Sequence, residues 1–184
     1  MPRNFEEDLS ESNKPIIKQE WERIIKEKFG EKSQIVWKDS NEIQKGIGAD
    51  LTVITEKGRR YSIETKLRRC GCNSEWIMEI ISHIYDQENK DIRKKLYSQV
   101  GWIYTTTAEY ILHGTLNQDK TKITEAIFYS LIPFKTQAWK SEFSKYSPLW
   151  LTTLYPNGNF QLTLNKLIPV EIIKLNALEF WKWN

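Results

Sequence analysis

Residues 48–66 constrain this chain more than any other stretch. Two runs rich in Val, Ile, Thr and Tyr flank Glu56-Lys57-Gly58, which is the composition of two β-strands joined by a tight turn. In the second run Tyr61, Ile63, Thr65 and Leu67 alternate with Ser62, Glu64 and Lys66. Successive side chains of a strand point to opposite faces, so Glu64 and Lys66 are neighbours on one surface. Loop length decides what else lies there. A two-residue turn at Lys57-Gly58 would set Asp50 opposite Thr65 and point it away from Glu64. A three-residue loop over Glu56-Lys57-Gly58, with Gly58 left-handed at its last position, sets Asp50 opposite Glu64 and is the favoured reading.

Two adjacent carboxylates repel unless a cation lies between them, and oxygen donors at this spacing suit Mg²⁺ or Mn²⁺. A lysine beside them is suited to orienting or deprotonating an attacking water, because a buried ammonium shifts its pKa readily. Together these are the parts for hydrolysing a phosphodiester. A solvated strand face with an exposed Glu and Lys is the plainer alternative, and Asp50 at hairpin spacing is what favours chemistry.

Asp50 followed by Glu64-Thr65-Lys66 resembles the PD-(D/E)XK nuclease superfamily, whose members include restriction endonucleases and archaeal Holliday junction resolvases. The resemblance covers residues 16–135, and Ala49 stands where the motif's name has proline. It implies a four-stranded mixed sheet flanked by helices. It also implies that Asp50 and Glu64 bind the metal, that Thr65 adds its backbone carbonyl, that Lys66 is catalytic, and that an early helix contributes a further Glu.

The whole chain sets wider bounds. Its 184 residues, 40% hydrophobic and 28% charged, suit one domain with a sizeable core and are too polar for a membrane protein. Glu6, Glu7 and Asp8 near the start do not form a signal segment, so a cytoplasmic location is expected. Cys70 and Cys72 are too close for an ordinary disulfide and lack a second pair for zinc, which leaves them as plain thiols. The net charge of +3 does not by itself mark a nucleic-acid binder. Local charge is more telling: Lys45 precedes the hairpin, and Arg59, Arg60, Arg68 and Arg69 lie along it, suited to DNA phosphates.

Along the chain, residues 1–14 read as a mobile polar tail. Ile16, Ile17, Trp21, Ile24, Ile25 and Phe29 recur at helical spacing up to Gly30. Glu20 flanks that stripe and is the candidate third carboxylate, with a surface glutamate as the alternative. A strand is expected at 34–37, then a loop whose Gly46 and Gly48 permit close approach of a polyanion. Trp76, Ile77, Ile80, Ile81 and Ile84 read as a second helix, beside which His83 has no nucleophile to serve, and Val100–Thr105 as a third strong strand. Further expectations are an apolar stretch from Tyr110, a turn at 117–120, a strand over 126–132 ended by Pro133, and helix over 134–146.

The resulting fold class is α/β: a restriction-endonuclease-like core over 15–146 with a central mixed sheet flanked by helices. Residues 147–184 form an extension with a β-hairpin at Asn157-Gly158 and an apolar tail, packed on the core or at a homodimer contact. The expected function is a Mg²⁺- or Mn²⁺-dependent endonuclease acting on DNA, resolvase-like or restriction-like. The alternative is a DNA-binding or assembly module that keeps the fold without cutting.

Overall fold

A computed structural model of the chain describes residues 3–4, 14–38, 49–68, 75–85, 95–155 and 157–183. Lys45, the glycines at 46 and 48, Arg69, Cys70, Cys72 and most of the tail over 1–14 lie outside the described residues.

The strands form two sheets, and the elements run as follows. Strand β1 is Arg3–Asn4. Helix α1, Pro15–Phe29, begins on a proline that suits the first turn and buries Ile17, Trp21, Ile24 and Ile25. Strands β2 (Gln34–Trp37), β3 (Leu51–Ile54) and β4 (Arg60–Arg68) form an antiparallel meander. Next come β5 (Glu75–Tyr85), β6 (Leu96–Val100) and the single-turn helix α2 (Trp102–Thr105). Strands β7 (Tyr110–Leu116) and β8 (Ile123–Ser130) follow, then a 3₁₀ turn at Ile132–Lys135 and helix α3 (Gln137–Glu142). The chain continues through β9 (Pro148–Leu154), β10 (Phe160–Pro169), α4 (Val170–Asn176) and β11 (Phe180–Trp183).

The six-stranded sheet has the order β11-β8-β7-β4-β3-β2 and is mixed, because β7 lies parallel to β4 while its other pairs are antiparallel. The five-stranded sheet has the order β1-β9-β10-β5-β6. One face of the six-stranded sheet packs on α1 through Leu51, Val53, Tyr61, Ile63, Leu112 and Phe128. The other face carries Ile111, Ile127 and Tyr129, which pack with Ile103, Phe134, Trp139, Phe143, Met78, Ile168 and Ile173. That second cover is made of short helices and the other sheet, where flanking helices alone are expected.

The hairpin adopts the three-residue loop. Thr55 N–H bonds to the Arg59 carbonyl at 2.9 Å, Gly58 N–H bonds to the Thr55 carbonyl at 2.8 Å, and Gly58 takes φ 78°. Leu51 then pairs with Ile63 and Val53 with Tyr61, a register that carries Asp50 opposite Glu64.

Two expectations are corrected. The segment read as a helix at 76–84 is β5, paired with β10 from Glu75 to Tyr85. Leu164 pairs with Ile81 and Asn165 with Glu79, so Ile80 is an extra residue that breaks the two-residue alternation. The apolar spacing then mimics a helix, while the β-branched isoleucines and a long partner strand favour β. The strand expected at Val100–Thr105 ends at Val100 and turns into α2. Gly101 makes the break: its N–H bonds to the Ile80 carbonyl at 2.9 Å, and a Cβ there would lie 2.3 Å from the Glu79 carbonyl oxygen. Elsewhere, Trp139 and Phe143 are buried together with ring centroids 5.6 Å apart. The hairpin at Gly158 pairs β9 with β10, which in turn pairs with β5. The apolar tail contributes β11, which completes the six-stranded sheet beside β8. No helix among the described residues is long and apolar enough to cross a membrane.

Gly101→Ala should destabilise the fold by about 1–3 kcal/mol, because the added methyl overpacks against backbone that cannot rotate away. Urea unfolding of the two proteins measures this, and an unchanged midpoint would show that β5 yields at that point.

Candidate active site

Strand β4 carries two of the candidate residues and its loop positions the third. Glu64 and Lys66 point to the face opposite α1, since Ile63 and Leu67, at the alternate positions of β4, belong to the α1 side. Glu64 is only 9% exposed. Its Oε1 meets Lys66 Nζ at 2.6 Å, and its Oε2 accepts from Thr106 Oγ1 at 3.3 Å. Asp50 stands one residue before β3, where Thr65 N–H has no strand partner to meet. The Asp50 carboxylate fills that role: Oδ2 accepts from Thr65 N–H at 2.7 Å and from Thr65 Oγ1 at 2.8 Å.

Electrostatics follow from this packing. Burial and the negative charge of Glu64 push the Asp50 carboxyl above its usual range, outweighing Lys66 and the two Thr65 bonds that favour the anion. Burial alone would lower the Lys66 ammonium, but Glu64, Asp50 and the Glu64 hydrogen bond hold it above the ordinary lysine value. Lys66 is therefore a cation at neutral pH, suited to orienting a nucleophile and stabilising charge rather than to removing a proton. Its Nζ also lies 5.0 Å from the centre of the Trp102 ring.

The other candidates divide. Glu20 is not brought to this group: its carboxylate pairs with Arg23 at 3.0 Å and accepts from Ile123 N–H at 3.2 Å, on the side of the sheet that α1 covers. Arg59 is exposed, stacks 4.6 Å from the Tyr61 ring centre and lies 3.9 Å from Glu179, so it too belongs with the α1 side. Arg60 and Arg68, at the two ends of β4, share the alternation of Glu64 and Lys66. Arg60 is exposed, and the charge of Arg68 reaches His113 and Tyr129.

Four residues near the site have no local signal in the sequence. The parallel pairing of β4 with β7 sets His113 beside Lys66. His113 is buried, with Nδ1 3.3 Å from the Tyr129 hydroxyl. Burial, helped by the charges of Arg68 and Lys66, keeps His113 well below its ordinary value and hence neutral. Thr106 reaches Glu64 from the end of α2. Lys135 donates to the carbonyls of Thr106 and Ala108, both at 2.8 Å. Each comes from a part of the chain at least 40 residues from Glu64 in sequence, so only tertiary pairing reveals them.

Among the described residues no group of three or more His, Cys, Asp or Glu side chains is arranged to hold a metal ion. The pair Asp50 and Glu64 offers oxygen donors, and burial together with the Glu64 charge raises the Asp50 carboxyl. Comparison of the chain with protein-family models, with curated proteins and with solved structures finds no match.

A neutral buried His113 binds fewer protons folded than unfolded, so its contribution to stability is complete above about pH 6.5 and is lost as pH falls toward its depressed folded value. His113→Gln should therefore flatten the loss of stability on acidification from about pH 6.5 to pH 5. Denaturant unfolding of both proteins across that range is the measurement, and parallel pH profiles would count against the assignment.

Proposed function

We propose that the protein is a divalent-metal-dependent endonuclease of the PD-(D/E)XK kind that hydrolyses phosphodiester bonds in DNA. The observation that carries this reading is the β3–β4 register, which sets Asp50 opposite Glu64 while Lys66 pairs with Glu64 on the same face. A mixed sheet with β2, β3, β4 and β7 as neighbours is compatible with the core that the resemblance implies. The crossover from β4 to β7 runs through β5, β6 and the single-turn α2 rather than through the helix expected at 76–84.

Asp50 and Glu64 would hold Mg²⁺ or Mn²⁺, with the Thr65 carbonyl as a further donor. Such an ion, when bound, supplies positive charge at the scissile phosphate and makes water more acidic. The side chains do the rest. The Thr65 bonds hold Asp50 toward the strand pair, and its partners fix Glu64. The Lys66 ammonium orients the attacking water and stabilises charge that builds on the phosphate in the transition state. Arg60 and Arg68 each lie four residues from Glu64 on β4, about 13 Å along the strand, a spacing suited to phosphates on either side of the cut.

The test is cleavage of supercoiled plasmid and of a four-way junction, with and without Mg²⁺. Lys66→Ala should abolish cleavage while leaving DNA binding and folding largely intact, because it removes a contact made in the transition state. Mg²⁺ should raise the Tm of the parent through linkage, and of Asp50→Asn much less. Cleavage by Lys66→Ala at the parental rate would sink the mechanism. Binding of DNA by the parent without cleavage under any of these conditions would identify a non-cutting module instead.

A further inference from the structure

Helix α2 is one turn long, yet its two ends meet the two paired side chains of the candidate site. At its start the Trp102 ring centre lies 5.0 Å from Lys66 Nζ. Just past its end Thr106 Oγ1 donates to Glu64 Oε2 at 3.3 Å and accepts from Ala108 N–H at 3.1 Å. A hydroxyl that accepts a hydrogen bond from Ala108 N–H still has its own hydrogen to donate, and Glu64 Oε2 is the acceptor within reach. Since Lys66 already occupies Oε1, Thr106 governs the other oxygen and with it the rotamer of Glu64.

The turn is itself held at both ends. At its start Gly101 N–H bonds to the Ile80 carbonyl at 2.9 Å, and Trp102 N–H lies 3.4 Å from Glu79 Oε1, which also accepts from Ser82 Oγ at 2.6 Å. At its end the Lys135 ammonium gathers the carbonyls of Thr106 and Ala108. A hydrogen bond from a mobile loop would spend little time aimed at its acceptor, whereas this one comes from a backbone turn fixed at both ends by hydrogen bonds.

We infer that the segment Gly101–Ala108 is a bracket between the two sheets, and that Thr106 and Trp102 are positioning residues: Thr106 sets the carboxylate of Glu64 and Trp102 confines the ammonium of Lys66. The inference rests on the nuclease reading and deepens it. Thr106 contacts Glu64, and Trp102 contacts Lys66. Their effect passes through Glu64 and Lys66, and it should appear in rate and in metal affinity rather than in affinity for DNA.

The experiment compares Thr106→Val, which keeps the shape and removes the hydroxyl, with Thr106→Ser, which keeps the hydroxyl. Single-turnover plasmid cleavage, its half-saturating Mg²⁺ concentration, the Mg²⁺-induced shift in Tm and duplex binding in EDTA are measured for each. Thr106→Val should lose at least about tenfold in rate, need more Mg²⁺ and show a smaller Tm shift, with DNA binding unchanged. Thr106→Ser should recover toward the parent on all three. Trp102→Leu and Trp102→Phe form a second pair, which decides the matter if Thr106→Val fails to fold: Leu should slow cleavage and Phe, which keeps an aromatic face for the ammonium, should restore much of it. If the parent cuts and both Thr106→Val and Trp102→Leu cut equally fast, the bracket is wrong and the nuclease reading stands. Equal losses in Val and Ser, or in Leu and Phe, would also overturn it, since keeping the hydroxyl or the aromatic face would then make no difference. A parent that cuts no DNA with Mg²⁺ removes the nuclease reading, and the bracket with it.

Discussion

The register of one hairpin underlies the chemistry available to this protein. Side chains on a strand alternate, so sliding β3 against β4 by one residue would turn Asp50 away from Glu64 and leave an ordinary ion pair on a sheet face. The loop prevents that slip. Gly58 at φ 78° closes a three-residue turn that a two-residue turn could not replace without shifting every pair, and the bonds between Thr55 and Arg59 or Gly58 fasten it. From that closure follow the apposition of two carboxylates, the burial and repulsion that together raise Asp50, and the attraction that keeps Lys66 charged.

The site is also a compromise between burial and charge. Glu64 and Lys66 lie on the same face of the sheet as Ile111, Ile127 and Tyr129, which form part of a hydrophobic cluster. Desolvating an ion pair costs several kcal/mol per ion even after relaxation, and the attraction between the ions offsets this only where other hydrogen bonds satisfy the remaining lone pairs and protons. Here Thr106 supplies one such bond and Thr65 supplies two to Asp50. His113, one strand over, is kept neutral instead. The neighbourhood thus carries charge only where a partner meets it.

Local pattern and tertiary pairing account for what the sequence made legible. The hairpin, α1 and the later hairpin at Gly158 were readable because their signals span few residues: a glycine in a turn, an alternating strand, a 3.6-residue stripe ended at Gly30. Strand β5 was not, because the bulge at Ile80 disturbs its alternation and leaves isoleucines at helical spacing. The break at Gly101 has no local signal for a different reason: it depends on how closely another strand approaches. Asp50, Glu64 and Lys66 were found together because all three sit on one hairpin. Glu20 was assigned by its place beside an apolar stripe, and periodicity does not tell which side of a sheet a helix will cover. His113, Thr106 and Lys135 join the neighbourhood only through the pairing of β4 with β7 and the return of α2 to that face.

The order of strands in the two sheets has a consequence for how the protein comes apart. Starting in the five-stranded sheet with β1, the chain enters the six-stranded sheet for β2 to β4, leaves it for β5 and β6, returns for β7 and β8, leaves again for β9 and β10, and ends in it with β11. Neither sheet is a continuous stretch of chain, and each is interrupted by strands of the other. Folding must close many long loops before the reward of either sheet is collected, which makes it slow and strongly cooperative. The amides of β4 and β7 should accordingly exchange with solvent only through global unfolding. A site on the central strands of so interwoven a fold is shielded from local fraying.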